Sequence, residues 1–207
     1  MPCDPAPGAD HEPEPLKILI AGGFGVGKTT MVAAASEIEP LTTEAALTEA
    51  SRPVDVLTGT EDKTTTTVAM DFGRITLPGR HLQLLLFGTP GQDRFWFMWD
   101  NLALGAIGAV VLADTRRLDA CFPAVEYCDD RGLPYIVAVN RFDRTHRYTD
   151  DEIRGAARLH PHIPVVQFDA RDTASARRTL ITLTEHALHL ALTRTTDSER
   201  TAHTHAL

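Results

Sequence analysis

Lysine is scarce in this 207-residue chain: Lys17, Lys28 and Lys63 are the only ones, and the rest of the 20 basic residues are arginine. A lysine where chemistry demands one therefore carries more weight than usual. Basic charge as a whole is short, with 28 acidic residues and a net charge of −8. That deficit excludes a general nucleic-acid binder or a protein held on anionic lipid by a basic face. No apolar run approaches the ~20 residues of a membrane-spanning helix. Residues 1–15 are acidic and Pro-rich, with no apolar core of a signal peptide. They read as a lead-in too polar to order, and 194–207 as a polar tail. Cysteine is limited to Cys3, Cys121 and Cys128, an odd set without metal-ligand spacing that suits free thiols in a reducing compartment. These absences point to a cytoplasmic protein. At 43% hydrophobic it can bury a core, and its length suits one domain, assigned to 16–193.

Six apolar or β-branched runs alternate with helical patterns. The runs are 16–21, 65–77, 81–88, 106–114, 133–140 and 163–169, and the helices are expected at 28–38, 92–103, 118–131, 149–159 and 174–193. Continuous Val/Ile/Leu runs suit parallel strands buried on both faces, joined by right-handed crossovers. Pro78-Gly79-Arg80 is too short for a crossover, so 65–77 and 81–88 should form an antiparallel hairpin.

After the first strand comes Gly22-Gly23-Phe24-Gly25-Val26-Gly27-Lys28-Thr29, followed by Thr30. This matches the G-x-x-x-x-G-K-[ST] phosphate loop, whose amides wrap phosphate oxygens. Lys28 is expected on the β/γ-phosphates and the Thr29 hydroxyl on Mg²⁺.

Three later strand ends carry further signals. The fifth run ends in Asn140-Arg141-Phe142-Asp143, which resembles the N-K-x-D guanine motif of GTPases. One carboxylate, Asp143, can accept guanine N1–H and N2–H₂ together, a pattern adenine lacks. Asn140 is expected to meet the O6/N7 edge and brace the phosphate loop, and the Arg141 stem to pack as the usual lysine does. The sixth run leads into Asp169-Ala170-Arg171, resembling the S-A-K loop whose alanine amide supports guanine O6. The third leads into Gly88-Thr89-Pro90-Gly91-Gln92, resembling the D-x-x-G-Q switch II motif. There Gly91 would sense the γ-phosphate and Gln92 would orient the attacking water. Gly88, however, stands where an aspartate is usual. Thr64-Thr65-Thr66-Thr67 before Asp71-Phe72 supplies a switch I threonine, Thr67 aligning best as a second Mg²⁺ ligand and Thr66 next. Four signals each follow the carboxyl end of a strand, where open α/β sheets bind ligands.

On these residues the chain resembles the Ras-like small GTPases, most closely the actinobacterial conservon-type proteins related to the bacterial gliding-motility GTPase. The resemblance implies a P-loop NTPase fold of α/β class. Its sheet would have six strands in the order 2-3-1-4-5-6, strand 2 antiparallel. It also implies a GTP/GDP switch with Mg²⁺, slow hydrolysis raised by a partner, and roadblock-type and sensor-kinase-like partners. Membrane recruitment would run through such a partner. The C-terminal Thr204-His205-Ala206-Leu207 lacks the prenylated cysteine of eukaryotic relatives.

Other residues divide between structure and function. Trp96 and Trp99 are candidates for core packing or for a partner surface. Arg52 is a candidate arginine finger. Cys121 and Cys128 suit packing, and the histidines His160, His162, His186 and His189 suit an ordinary surface. Asp114 suits a turn cap, with replacement of the missing switch II acid as its alternative. Gly88 predicts weak Mg²⁺ dependence of GDP release. It also keeps open an adaptor that binds nucleotide with little hydrolysis. A P-loop nucleotide kinase leaves Asn140 to Asp143 unexplained.

Overall fold

The structure, a computed structural model, describes residues 12–47, 66–77, 79–91, 98–143 and 145–204. Side chains are described over 12–41, 70–77, 79–91, 98–143 and 145–195. The strands are β1 (Glu14–Gly22), β2 (Leu41–Leu47), β3 (Thr66–Leu77), β4 (Leu82–Gly88), β5 (Ala106–Ala113), β6 (Tyr135–Asn140) and β7 (Val165–Phe168). The helices are α1 (Lys28–Ala35), α2 (Trp99–Ala103), α3 (Phe122–Arg131), α4 (Asp150–Ala156) and α5 (Thr173–Thr204).

All seven strands form one sheet in the order β2-β3-β4-β1-β5-β6-β7. Its last six strands reproduce the expected order, with β3 antiparallel to β4 and parallel pairing from β4 through β7. The Ras-like P-loop architecture therefore holds. The addition is β2, which lengthens the antiparallel edge by pairing Leu41 with Phe72 through to Leu47 with Thr66. Its Glu-Ala-Ala-Leu stretch favours helix by propensity, and cross-strand pairing overrides that preference.

Alternation on each central strand splits the core. Ile18, Ile20, Val110, Leu112, Ile136 and Ala138 face α1 and α5 and meet Met31, Val32, Leu180 and Leu183. Leu19, Ala21, Val111, Val137 and Val139 face the other layer and meet Trp99, Tyr127, Cys128 and Ile153. Both faces are apolar and buried, as continuous apolar runs require.

Helices α1, α3 and α4 are shorter than expected, α1 ending at Ala35, α3 starting at Phe122 and α4 ending at Ala156, while α5 is longer. Helix α4 starts at a capping box in which Thr149 and Glu152 satisfy each other's backbone N–H. Helix α5 runs on to Thr204, through most of the segment read as a polar tail. No glycine or proline interrupts Thr173 to Thr204, so nothing local stops it.

Candidate functional site

Strand β1 delivers the phosphate loop at the carboxyl edge of the sheet. Gly27 has φ +107°, and a Cβ there would lie 2.6 Å from Asn140 Nδ2. Only glycine meets both demands. Asn140 is the reason for the crowding. Buried at the end of β6, it donates from Nδ2 to Val26 O (3.0 Å) and accepts at Oδ1 from the Ala170 amide (3.1 Å). It thus ties the phosphate loop to the loop after β7. The expected brace is present, and the Ala170 amide is engaged by Asn140.

Lys28 opens α1. Its Nζ donates to Gly22 O (2.8 Å) and Gly23 O (2.7 Å). Burial lowers its pKa to about 8, against the opposing pull of Asp71. Gly91 lies over the same ammonium, since a Cβ on it would sit 2.5 Å from Lys28 Nζ. Gly91 and the phosphate-loop lysine are therefore neighbours. Phe24, Gly25, Thr29, Thr30 and Asp71 complete a cleft of about 320 Å³ here. Phe24 is 70% exposed at its rim, and its carbonyl accepts from Arg117 Nη2 (3.0 Å).

Asp71 is the residue whose role the sequence reading missed. The β3–β4 register pairs Phe72 with Phe87, so the next step places Asp71 beside Gly88. A Cβ on Gly88 would lie 3.1 Å from both Asp71 Cβ and Oδ2. The Asp71 carboxylate accepts from Thr29 Oγ1 at 2.6 Å and is 8% exposed. The aspartate absent from β4 thus has a counterpart one strand over, in the space its own side chain would take. The Gly88 position is therefore not without a neighbouring acid, because β3 supplies one. Asp114 plays no such part. Both its oxygens hold Arg116 (Nη2 to Oδ2, 2.7 Å), which keeps its carboxyl below the usual range. It also accepts the Arg116 amide as a turn cap.

Arg116 stacks on Phe142, with its guanidinium 3.9 Å from the ring centre. Asp114, Arg116 and Phe142 thereby fix the loop that presents Asp143. A second pocket of about 300 Å³ opens there, lined by Asn140, Arg141, Phe142, Asp143, Asp169 and Arg171 among others. Arg171 spans it, from Nη1 and Nη2 to Asp143 (3.2 and 3.3 Å) and from Nε and Nη2 to Asp169 (3.0 and 2.9 Å). These contacts hold the Asp169 carboxyl below its ordinary value and the Arg171 guanidinium above its own.

Several candidates lie elsewhere. Arg52, Gln92 and Trp96 are outside the described residues, and Thr67 lies on β3 with its side chain outside them. Trp99 is 3% exposed and meets Tyr127 edge to face at 5.1 Å, so it belongs to the core and not to a partner surface. Cys121 and Cys128 are buried, their thiols pushed up to about 12 by burial. His160, His162 and His186 stack in a row, but among the described residues no group of three or more His, Cys, Asp or Glu side chains is placed to hold a metal. No described helix is long and apolar enough to cross a membrane.

Comparison with known proteins agrees with this fold. A family model described as conserved hypothetical ATP binding protein matches residues 20–190. An uncharacterized protein of Methanocaldococcus jannaschii is 26% identical over 130 residues, 62% of this chain and 71% of that protein. The Ras-related protein Rab-18 of Lymnaea stagnalis is 26% identical over 170 residues, 75% of this chain and 72% of that protein. The G domain of the T. maritima FeoB iron transporter superposes with a TM-score of 0.57 at 19% identity, over 86% of this chain and 99% of that domain. The apo cytosolic domain of the same transporter gives 0.60 at 18%, over 84% of this chain. The chain spans 64% of that longer structure. These structural likenesses show a shared fold.

Proposed function

The chain belongs to the family of conserved hypothetical ATP binding proteins, and from that premise we propose that it binds guanine nucleotides and acts as a GTP/GDP switch. The observation that carries the base assignment is the loop set around Asn140. That side chain joins the phosphate loop to Ala170 while Asp143 stands at the adjoining pocket. Guanine offers Asp143 two parallel N–H donors. Adenine would turn the N1 lone pair toward the carboxylate, which is repulsive. The family description names ATP, and this pocket favours the other purine.

The donors beside the phosphate loop suit magnesium. Thr29 and Asp71 bring a hydroxyl and a carboxylate together at 2.6 Å, an oxygen set of the kind a hard divalent cation takes with phosphates. Thr29 and the phosphates would hold the ion directly, with Asp71 fixing the Thr29 hydroxyl and accepting from the ion's waters. Thr67 would join them in the GTP state. When bound, the ion neutralises charge on the phosphates. The Asp71 carboxylate at this place supports a hydrolysing switch over an adaptor with little hydrolysis.

Hydrolysis is slow in this reading, with Gln92 orienting water and Arg52 a further candidate. The FGTPGQ wording and Gly88 support the conservon-type branch. From that resemblance come a role in bacterial signalling, roadblock-type and sensor-kinase-like partners, a cytoplasmic location and recruitment to membrane through a partner.

The test is base selection. The unmodified protein is expected to bind GDP in strong preference to ADP by calorimetry. Asp143→Asn is expected to lose about 3 kcal/mol of GDP binding, as for a charge-assisted two-bond contact, and to gain xanthosine diphosphate. Equal affinity for GDP and ADP in the unmodified protein ends the guanine assignment.

A further inference from the structure

We propose that Arg171 is an internal competitor for the guanine base, occupying the same carboxylate with the same pair of donors. The inference rests on the guanine reading of Asp143. A guanidinium presents parallel N–H groups in a planar fork. The Watson–Crick edge of guanine, built on the same N–C–N unit, presents N1–H and N2–H₂ in like fashion. In the structure Arg171 Nη1 reaches Asp143 Oδ2 at 3.2 Å and Nη2 reaches Oδ1 at 3.3 Å. Both acceptor oxygens are thus addressed by the fork, and guanine can take them only by displacing it.

The loop also provides a place for the displaced group. Nε and Nη2 of Arg171 hold Asp169 at 3.0 and 2.9 Å, and the Arg171 amide donates to Asp169 Oδ1 at 2.9 Å. Releasing Asp143 leaves this second pair intact, so the guanidinium need not become unpaired. Only one ion pair is exchanged, and it is exposed, with 58% and 80% of the two side chains open to solvent. Pairs of that kind are weak. The competition therefore sets affinity and exchange by a modest factor and does not block the site. It acts on guanine alone, because adenine makes no use of Asp143.

The decisive variant is Arg171→Met, which keeps an apolar stem and removes the fork. Calorimetry is expected to show GDP binding about two- to fivefold tighter than in the unmodified protein, the range an exposed ion pair allows, with ADP binding unchanged. In an Asp143→Asn background, with xanthosine diphosphate as the probe, Arg171→Met is expected to lose its effect. An arginine that stacks on or bonds to the base gives the reverse sign. Weaker or unchanged GDP binding in Arg171→Met, with the preference for GDP over ADP intact, overturns the competitor and leaves the guanine reading standing. A gain that persists in the Asp143→Asn background overturns it also. Absence of any preference for GDP in the unmodified protein overturns both.

Discussion

Exchanging the Asp71 carboxylate for an amide isolates its charge at almost constant shape. Its Oδ2 takes the Thr29 hydroxyl at 2.6 Å, and its surroundings leave it 8% exposed, so water does little to screen it. A partner that orients a metal ligand in this way contributes about 10–100-fold to metal affinity, or ~1.4–2.7 kcal/mol. Asp71→Asn is expected to weaken Mg²⁺ binding to the GDP complex by that factor. The assay is release of a fluorescent GDP across a Mg²⁺ titration, with EDTA as the end point. The unmodified protein should release GDP much faster in EDTA, and Asp71→Asn should approach that fast rate even at moderate Mg²⁺. Gly88→Asp alone should not help. Its Cβ would stand 3.1 Å from the Asp71 carboxylate, setting two negative groups against each other. Joined with Asp71→Ala, it should recover part of the lost Mg²⁺ affinity, a coupling that a double-mutant cycle measures. An unaltered Mg²⁺ dependence in Asp71→Asn refutes the reasoning, as does a release rate in the unmodified protein that ignores EDTA.

Two further outcomes follow. Lys28 titrates near 8 because burial disfavours its charge, while phosphate requires the ammonium. Above that value nucleotide must bring a proton with it, so GDP affinity should fall about tenfold between pH 7 and pH 9. Calorimetry in buffers of different ionisation enthalpy detects the uptake, and a flat profile contradicts it. Gln92→Leu should leave GDP affinity intact while slowing single-turnover GTP hydrolysis. Hydrolysis at the parent rate would move the catalytic role to Arg52.

The central strands were legible because Val110, Leu112, Ile136 and their neighbours lie in unbroken apolar runs, the mark of a layer covered on both sides. The phosphate loop and the Asn140–Asp143 loop were legible because their chemistry is written in contiguous residues. Strand β2 was not, since Glu44, Ala45 and Ala46 earn their conformation from pairing with β3 and not from propensity. Asp71 was visible as an acid before Phe72. Its bearing on Gly88 depends on the β3–β4 register, a relation between residues 17 positions apart that no local pattern encodes. The reach of Arg171 to Asp143 has the same origin, because two loops meet only when β6 and β7 pair.

The phosphate loop is gripped from outside itself. Gly23 rests so close to Ala120 that a Cβ would approach its methyl to 2.8 Å. Arg117 holds the Phe24 carbonyl, and Asn140 holds that of Val26. The anchors come from the connection that follows β5 and from the last residue of β6, so the loop's curvature is a property of the folded sheet and not of its glycines alone. Such a loop is preorganised: the entropy of shaping it is lost when the chain folds, and little is left to lose when an anion arrives. Affinity for the phosphates then depends on residues that never touch them. Damage to Ala120, Arg117 or Asn140 would loosen the grip by making a rigid receptor flexible.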